Sequence, residues 1–379
     1  MSLPDAAAAD PWQPSRTLDL IGHAAAEREV LDAWTSGRMH HAWLITGPRG
    51  IGKATLAYRV ARFVLAQGAA EAGAAAAGPG LFGETLPPAV PTTLALPADH
   101  PVVRRVAAGG HGDLRIVQRE MVEDKKTKRL RPQGVINVDS VRGIGHFLSM
   151  TSAEGGWRIV LIDGAEDMNR NAANAVLKVL EEPPRRALLL LVSHNPARLL
   201  PTIRSRCRRL PLHPLRDVEV RDLLARSRPR LSEADRAALA AMGEGSIGTA
   251  LDLEEQGGLD LYRELLGLLQ GLPRLDVAGL HAMAERLARA DDGFRVACDL
   301  FTWWLGRVIR AKGRGQVDAE VLPGEAALTQ RLAVAGGLEQ WVQVWEKITH
   351  LFDRTNAVNL DKKQALISAF LAVERLVRA

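Results

Sequence analysis

The sequence predicts an α/β protein: a phosphate-loop domain built on a parallel sheet, then a small helical domain and a C-terminal all-α domain. Three observations predict it. Residues 42–46 (AWLIT) form a short apolar run that passes through a glycine loop directly into a segment of helical spacing. Two further apolar runs, 158–163 and 187–193, enclose a helical stretch at 171–180, and such continuous runs are what strands covered on both faces require. Beyond Pro214 the strand-like runs stop and only helical periodicity is left.

The elements follow in order. Leu56, Val60, Phe63 and Val64 lie at helical spacing within 54–66. Residues 68–101 are rich in Ala, Gly and Pro without periodicity, which predicts a flexible surface insertion. A strand is expected at 114–118. An irregular piece at 123–131 carries Lys125, Lys126, Lys128, Arg129 and Arg131, and reads either as a solvated loop or as a phosphate-contacting one. Pro183 and Pro184 stop the 171–180 helix. Short helices are expected at 217–227, at 232–241, where Ser232 and Asp235 form a near capping box, and at 246–255. Gly257 and Gly258 mark a hinge, and amphipathic helices follow at 259–269, 277–290, 294–312, 338–352 and 362–378. The expected domains are therefore 1–212, 213–256 and 257–379.

A chain of 379 residues is long enough for two or three cores, and 47% hydrophobic with 25% charged residues is ordinary for a globular protein. The N-terminus has no charged-then-apolar leader, and no apolar run approaches the roughly 20 residues that span a bilayer. A cytoplasmic location is expected. Cys207 and Cys298 match no metal-ligand spacing and read as structural thiols in a reducing compartment. The net charge of +5 permits nucleic-acid contact without requiring it.

The sharpest motif is Gly47-Pro-Arg-Gly50-Ile-Gly52-Lys53, which fits G-x-x-x-x-G-K in the strand-to-helix context that pattern requires. Glycines let backbone N–H groups turn inward around phosphate oxygens, and the helix N-terminus adds favourable partial charge. Lys53 would reach the β- and γ-phosphates. The next position should carry the hydroxyl that ligates Mg²⁺, but it is Ala54. Thr55 is one residue late, and one residue on a helix turns a side chain by about 100°. A second motif is the apolar strand ending in Asp163, which either presents a carboxylate beside the loop or caps the next turn. Gly164 follows it, and Glu166 stands at a different register. His100 and His111 are expected to be solvated loop residues, and His40-His41 to be packing or the edge of an adenine pocket; no zinc site is expected.

The stretch from Asp163 to Pro184, with Asn174-Ala-Val-Leu-Lys178-Val-Leu-Glu181-Glu182-Pro-Pro, followed by Ser205-Arg206-Cys207, resembles the bacterial clamp-loader family of AAA+ proteins. The resemblance covers most of 21–212; the remainder fits by layout alone. In AAA+ ATPases the residue after the strand aspartate is a glutamate that prepares water, so Gly164 removes that group, a loss typically of about 10²–10⁴ in rate. The family's helical-domain motif has an arginine where this chain has Gly248. Ala54, Gly164 and Gly248 together favour the delta-prime branch over the ATP-hydrolysing tau/gamma branch, which stays as the alternative. The resemblance implies that Arg206 serves as an arginine finger on ATP held by a neighbour, a task suited to a forked, permanently charged guanidinium. It also implies tau/gamma, delta, the sliding clamp and primer-template DNA as partners. Of its own site it implies ATP or ADP held weakly at Gly47, Gly50, Gly52, Lys53, Thr55 and Asp163, with Mg²⁺ ligation incomplete.

Overall fold

The computed structural model describes residues 12–77, 90–123, 130–132, 134–290, 292–358 and 360–378. The chain divides into two compact units, Met1–Glu219 and Val220–Ala379. The first contains α1 (Ala24–Thr35), β1 (Ala42–Thr46), α2 (Lys53–Ala77), α3 (Pro101–Ala107), β2 (Leu114–Val117), β3 (Met121–Glu123) and β4 (Leu130–Pro132). It continues with α4 (Val138–Val141), α5 (Ile144–Ser149), β5 (Arg158–Asp163), α6 (Arg170–Glu181), β6 (Ala187–Ser193), α7 (Pro201–Arg204) and β7 (Arg208–Pro211). The helix α8 (Asp217–Ser227) carries the chain across the division.

A parallel sheet of order β2-β5-β6-β1-β7 organises this unit. Its strands read as unbroken apolar runs because both faces are covered. Trp43, Ile45, Leu188, Leu190, Val192, Ile159 and Leu161 pack on one side with α1, α2 and α3. Ala42, Leu44, Leu189, Leu191, Val160 and Ile162 pack on the other with α4 to α7. Successive side chains thus serve opposite cores, the period-two rule of an extended strand. Each such fully buried aliphatic side chain contributes about 1.5–3 kcal/mol.

Several expectations change. Helix α2 does not stop at the residue-68 composition shift but continues to Ala77, as alanine's high helix propensity favours. Leu94 is buried in the core, and α3 starts at Pro101, so the expected insertion is ordered at both ends; 78–89 lie outside the described residues. The basic piece at 123–131 is flanked by an antiparallel pairing of β3 with β4, while Lys125, Lys126, Lys128 and Arg129 lie outside the described residues. His111 is buried rather than solvated, its Nδ1 accepting from the Asp113 amide at 3.2 Å. Burial pulls its pKa below the usual imidazole value. His100 is no plain loop residue either: its ring nitrogen caps α3 by accepting from Val102 N.

The second unit is helical: α9 (Glu233–Gly243), α10 (Ile247–Glu255), α11 (Gly258–Gln270), α12 (Val277–Arg289), α13 (Gly293–Arg314), α14 (Glu325–Val334), α15 (Leu338–Val358) and α16 (Lys362–Arg378). Ser232 caps α9 by accepting from Asp235 N, and Ser246 caps α10 by accepting from Thr249 N. Such caps contribute about 1 kcal/mol each. Gly257 takes a left-handed conformation between α10 and α11. Phe301 anchors the core against Phe370, Trp304 and Phe352. A buried network ties three helices: Glu325 accepts from Arg307 Nε at 2.7 Å and from Tyr262 Oη at 2.8 Å.

Candidate functional site

Because all five strands run parallel, their C-terminal ends share one edge, where ligands of open α/β sheets bind. The phosphate loop leaves β1 there. Gly47, Gly50 and Gly52 have φ of 145°, 73° and 98°. At Gly47 a Cβ would lie 2.5 Å from the Leu212 carbonyl oxygen, so the loop closes against the chain leaving β7 only with glycine at this position. Lys53 opens α2, is buried, and donates to the Pro48 carbonyl. Burial, helped by Arg49, lowers its pKa to about 8, against the opposing pull of Glu166 and Asp163. His23 reaches across to the loop, its Nε2 2.6 Å from the Ile51 carbonyl oxygen.

Asp163 ends β5, two strands from β1, with β6 between. Burial raises its pKa, with Glu166 adding and His194 and Lys53 opposing. The Asp163 and Lys53 shifts both favour neutral forms, so neither group fully compensates the other. Gly164 then adopts the left-handed conformation, φ 77°. Glu166 is spent on structure: its Oε1 accepts from His194 N at 2.7 Å and Asn195 N at 3.1 Å, pinning the end of β6. That carboxylate is held below its ordinary pKa; burial opposes the shift, and the backbone donors and Ser193 outweigh it.

Sequence reasoning missed His194. It follows Ser193, which pairs with Thr46, so it stands between the phosphate loop and Asp163. Partial enclosure lowers its pKa, with Lys53 and Arg49 adding. The polar Ser-His-Asn ending of a seven-residue apolar strand was the available signal.

The loop fits a phosphate group: backbone turned through three positive-φ glycines, a buried lysine and a helix N-terminus. Mg²⁺ fits poorly. Ala54 has no oxygen, and no group of three His, Cys, Asp or Glu among the described residues could hold a metal. Thr55, one residue on in α2, is partly exposed.

Arg206 lies elsewhere. It precedes β7, whose Arg208 pairs with Trp43 near the start of β1. Gly47 is four residues beyond Trp43, at least about 13 Å further along the strand direction. The guanidinium is therefore at the opposite edge of the sheet from its own phosphate loop. Its side chain is 38% exposed, 3.1 Å from Glu181 Oε1, and it donates to the Thr202 carbonyl at 3.2 Å. An exposed pair of this kind holds by about 0–1 kcal/mol. Cys207 beside it is buried, which pushes its thiol up to about 12 and leaves it an inert core residue.

The phosphate loop, sheet order and helical C-terminal portion define an α/β phosphate-loop protein. A sequence profile described as DNA polymerase III, delta subunit, matches residues 97–216. DNA polymerase III subunit delta' of Pseudomonas aeruginosa is 38% identical over 247 residues, 65% of this chain and 62% of that protein. Subunit delta' of Escherichia coli is 29% identical over 59% of this chain and 58% of its own length. Subunit tau of Escherichia coli is 29% identical over 65% of this chain and 33% of its own length. Over part of its length the chain is similar to delta' and tau subunits of bacterial DNA polymerase III. Its match spans less than two thirds of each of these relatives. A gamma subunit-related protein of Thermotoga maritima MSB8 has a similar solved structure, 20% identical, with TM-score 0.39 over 92% of this chain and 100% of that one. No helix among the described residues is long and apolar enough to cross a membrane.

Proposed function

We propose that this chain is a non-hydrolysing, delta-prime-type subunit of a cytoplasmic clamp loader, which helps place a sliding clamp on primed DNA. In that role Arg206 completes the ATP site of an adjoining tau/gamma subunit. Delta, the clamp and primer-template DNA are further partners. Residues 213–256 act as a lid, and 257–379 join the oligomeric collar. One observation carries the reading: Arg206 is presented at the surface, at the edge of the sheet opposite its own phosphate loop. It has no route to a nucleotide in the same subunit, and a weak surface pair is all that must break for it to reach a neighbour. The chain's own loop, with Gly47, Gly50, Gly52, Lys53 and Asp163, holds ATP or ADP weakly through phosphate contacts. Thr55 sits at its margin, and Ala54 and Gly164 leave it without two parts of the hydrolytic machinery.

The test is Arg206→Ala in a reconstituted loader. Turnover at the served site should fall by about 10³-fold or more, with assembly intact. Unchanged DNA-stimulated turnover would remove the finger. The intact phosphate loop, with buried Lys53, favours one alternative, an active motor of the tau/gamma type. Brisk ATP hydrolysis by the isolated chain, abolished by Lys53→Ala, would establish it.

A further inference from the structure

The second unit carries a groove between α13 and α15 that its own packing leaves unfilled. On α13 it is bordered by Asp299, Trp303, Gly306 and Arg310, and on α15 by Trp345, Thr349, Phe352 and Asn356. Each set repeats every three or four residues, so each is one stripe of its helix. The cavity between them is about 380 Å³, within the range of small-ligand pockets. Trp303 and Trp345 are half-buried, while Asp299, Asp353 and Asn356 are exposed at the rim. A side chain can therefore enter from a segment whose backbone stays outside.

Gly306 is what keeps the groove open. A glycine inside a helix costs about 1 kcal/mol relative to alanine. Packing does not require it here: a Cβ at Gly306 would meet only Arg310 Nη1, at 3.4 Å, an ordinary contact. The charge of the lining is the second observation. Three carboxylates, Glu244, Asp299 and Asp353, face one guanidinium, Arg310. Glu244 and Arg310 lie 3.7 Å apart, and Trp303 Nε1 donates to Glu244 at 2.9 Å, so that end is answered internally. At the other end Asp299 has only an exposed pair with Arg295, at 3.2 Å, and Asp353 has no ion pair among the described residues. Both border Cys298, which is buried in the floor. Burial pushes its thiol up and their negative charges add to the shift, with Lys362 opposing. A groove of this kind disfavours anions and leaves its carboxylates unanswered by a neutral guest. A flat cation suits it, because a guanidinium stacks on indole and presents forked donors to carboxylates.

We propose that the α13–α15 groove docks an arginine side chain presented by a segment of another polypeptide. The stem lies along Trp303 and Trp345, over the gap at Gly306, and the guanidinium donates to Asp353 and Asp299. Apolar neighbours of that arginine in the segment pack on the indoles. The site is independent of the phosphate loop and of Arg206.

The full-length protein, with ¹⁵N in its eight tryptophans, would be titrated with acetyl-Leu-Arg-Leu-methylamide and the indole N–H signals followed by NMR. The signals of Trp303 and Trp345, assigned through Trp→Phe variants, should shift saturably while the others stay in place. The counterpart with citrulline, which keeps the shape and loses the charge, should bind more weakly. Asp353→Asn, at an exposed position, should weaken the arginine peptide by about two- to fivefold. Gly306→Ala should leave binding in place, whereas Gly306→Leu fills the groove and should abolish the shifts. Both raise helix propensity, and the remaining indole signals report that the fold is kept. Should Gly306→Leu misfold, Asp353→Asn and the citrulline peptide decide. No saturable shift by ~20 mM peptide would overturn the proposal. So would equal binding of the citrulline peptide, or binding indifferent to Asp353→Asn. Acetyl-arginine-methylamide binding as tightly as the tripeptide would also overturn it, since the site would then serve a small guanidino compound and not a polypeptide.

Discussion

Gly164 shows how one residue changes what a site can do. The strand carrying Asp163 turns immediately after it through a left-handed backbone, φ 77° and ψ 50°, into a short 3-10 turn. A non-glycine residue held in that conformation costs about 1–2 kcal/mol. A Cβ there would also lie 2.9 Å from Asp167 Oδ2, which pairs with Arg119. The glutamate expected of an ATPase is therefore not merely deleted: the turn itself disfavours it. Gly164→Glu should lower stability by about 1–2 kcal/mol in urea unfolding, and Gly164→Ala by a similar amount, because the backbone sets the cost. Neither should create ATP turnover in the isolated chain, since Ala54 still supplies no oxygen for Mg²⁺. Appearance of Lys53-dependent hydrolysis in Gly164→Glu would show that the turn adapts and would overturn the proposed non-hydrolysing role.

At the scale of elements, α2 is the least expected. Its extension past residue 66 is anchored where Gly68 meets Trp157: a Cβ there would lie 2.6 Å from Trp157 Cδ1 and 3.2 Å from Trp157 N. Trp157 in turn packs on Trp34, which packs on Phe63. Gly68→Val should lower stability by about 1–3 kcal/mol through overpacking, read as a shifted unfolding midpoint. A neutral effect would mean that the extension and Trp157 move apart freely. This contact also explains why the extension was not legible. It joins residues far apart in sequence, and an alanine-rich segment carries no apolar stripe to announce it. The buried strands β1, β5 and β6 were legible because two-sided burial writes itself as unbroken apolar runs. The strand β7 was not: it is short, it lies at the sheet edge, and three of its four residues are exposed. Likewise Lys53, Asp163 and Gly164 could be placed from local spacing, whereas the position of Arg206 at the far edge depends on the β1–β7 register. His194 joined the site only through the sheet order, and His111 is buried by contacts that local sequence does not encode.

For the whole molecule, the proposed division of labour places the finger in the first unit and assembly in the second. The rigidity of the second then depends on a buried charge. Glu325 is fully buried, Arg307 is 8% exposed, and Tyr262 is fully buried. Glu325 Oε2 also accepts from Val321 N at 2.8 Å, and Arg307 Nη2 donates to the Ala319 carbonyl at 2.6 Å. These bonds bring α11, α13 and α14 to one point, and they fix the segment leading into α14. Removing the carboxylate would leave the Arg307 cation and the Tyr262 hydroxyl without their acceptor, a loss of about 3–5 kcal/mol for a broken buried pair. Glu325→Gln keeps an acceptor oxygen and should cost less. Hydrogen exchange would read both variants: in Glu325→Ala the amides of α11, α13 and α14 should lose protection, while those of β1, β5 and β6 keep theirs. If the second unit carries assembly, the same variant should also fail to co-purify with tau/gamma. Retained protection in α11, α13 and α14 would show that apolar packing around Phe301 suffices and that the buried pair is not what fixes these helices.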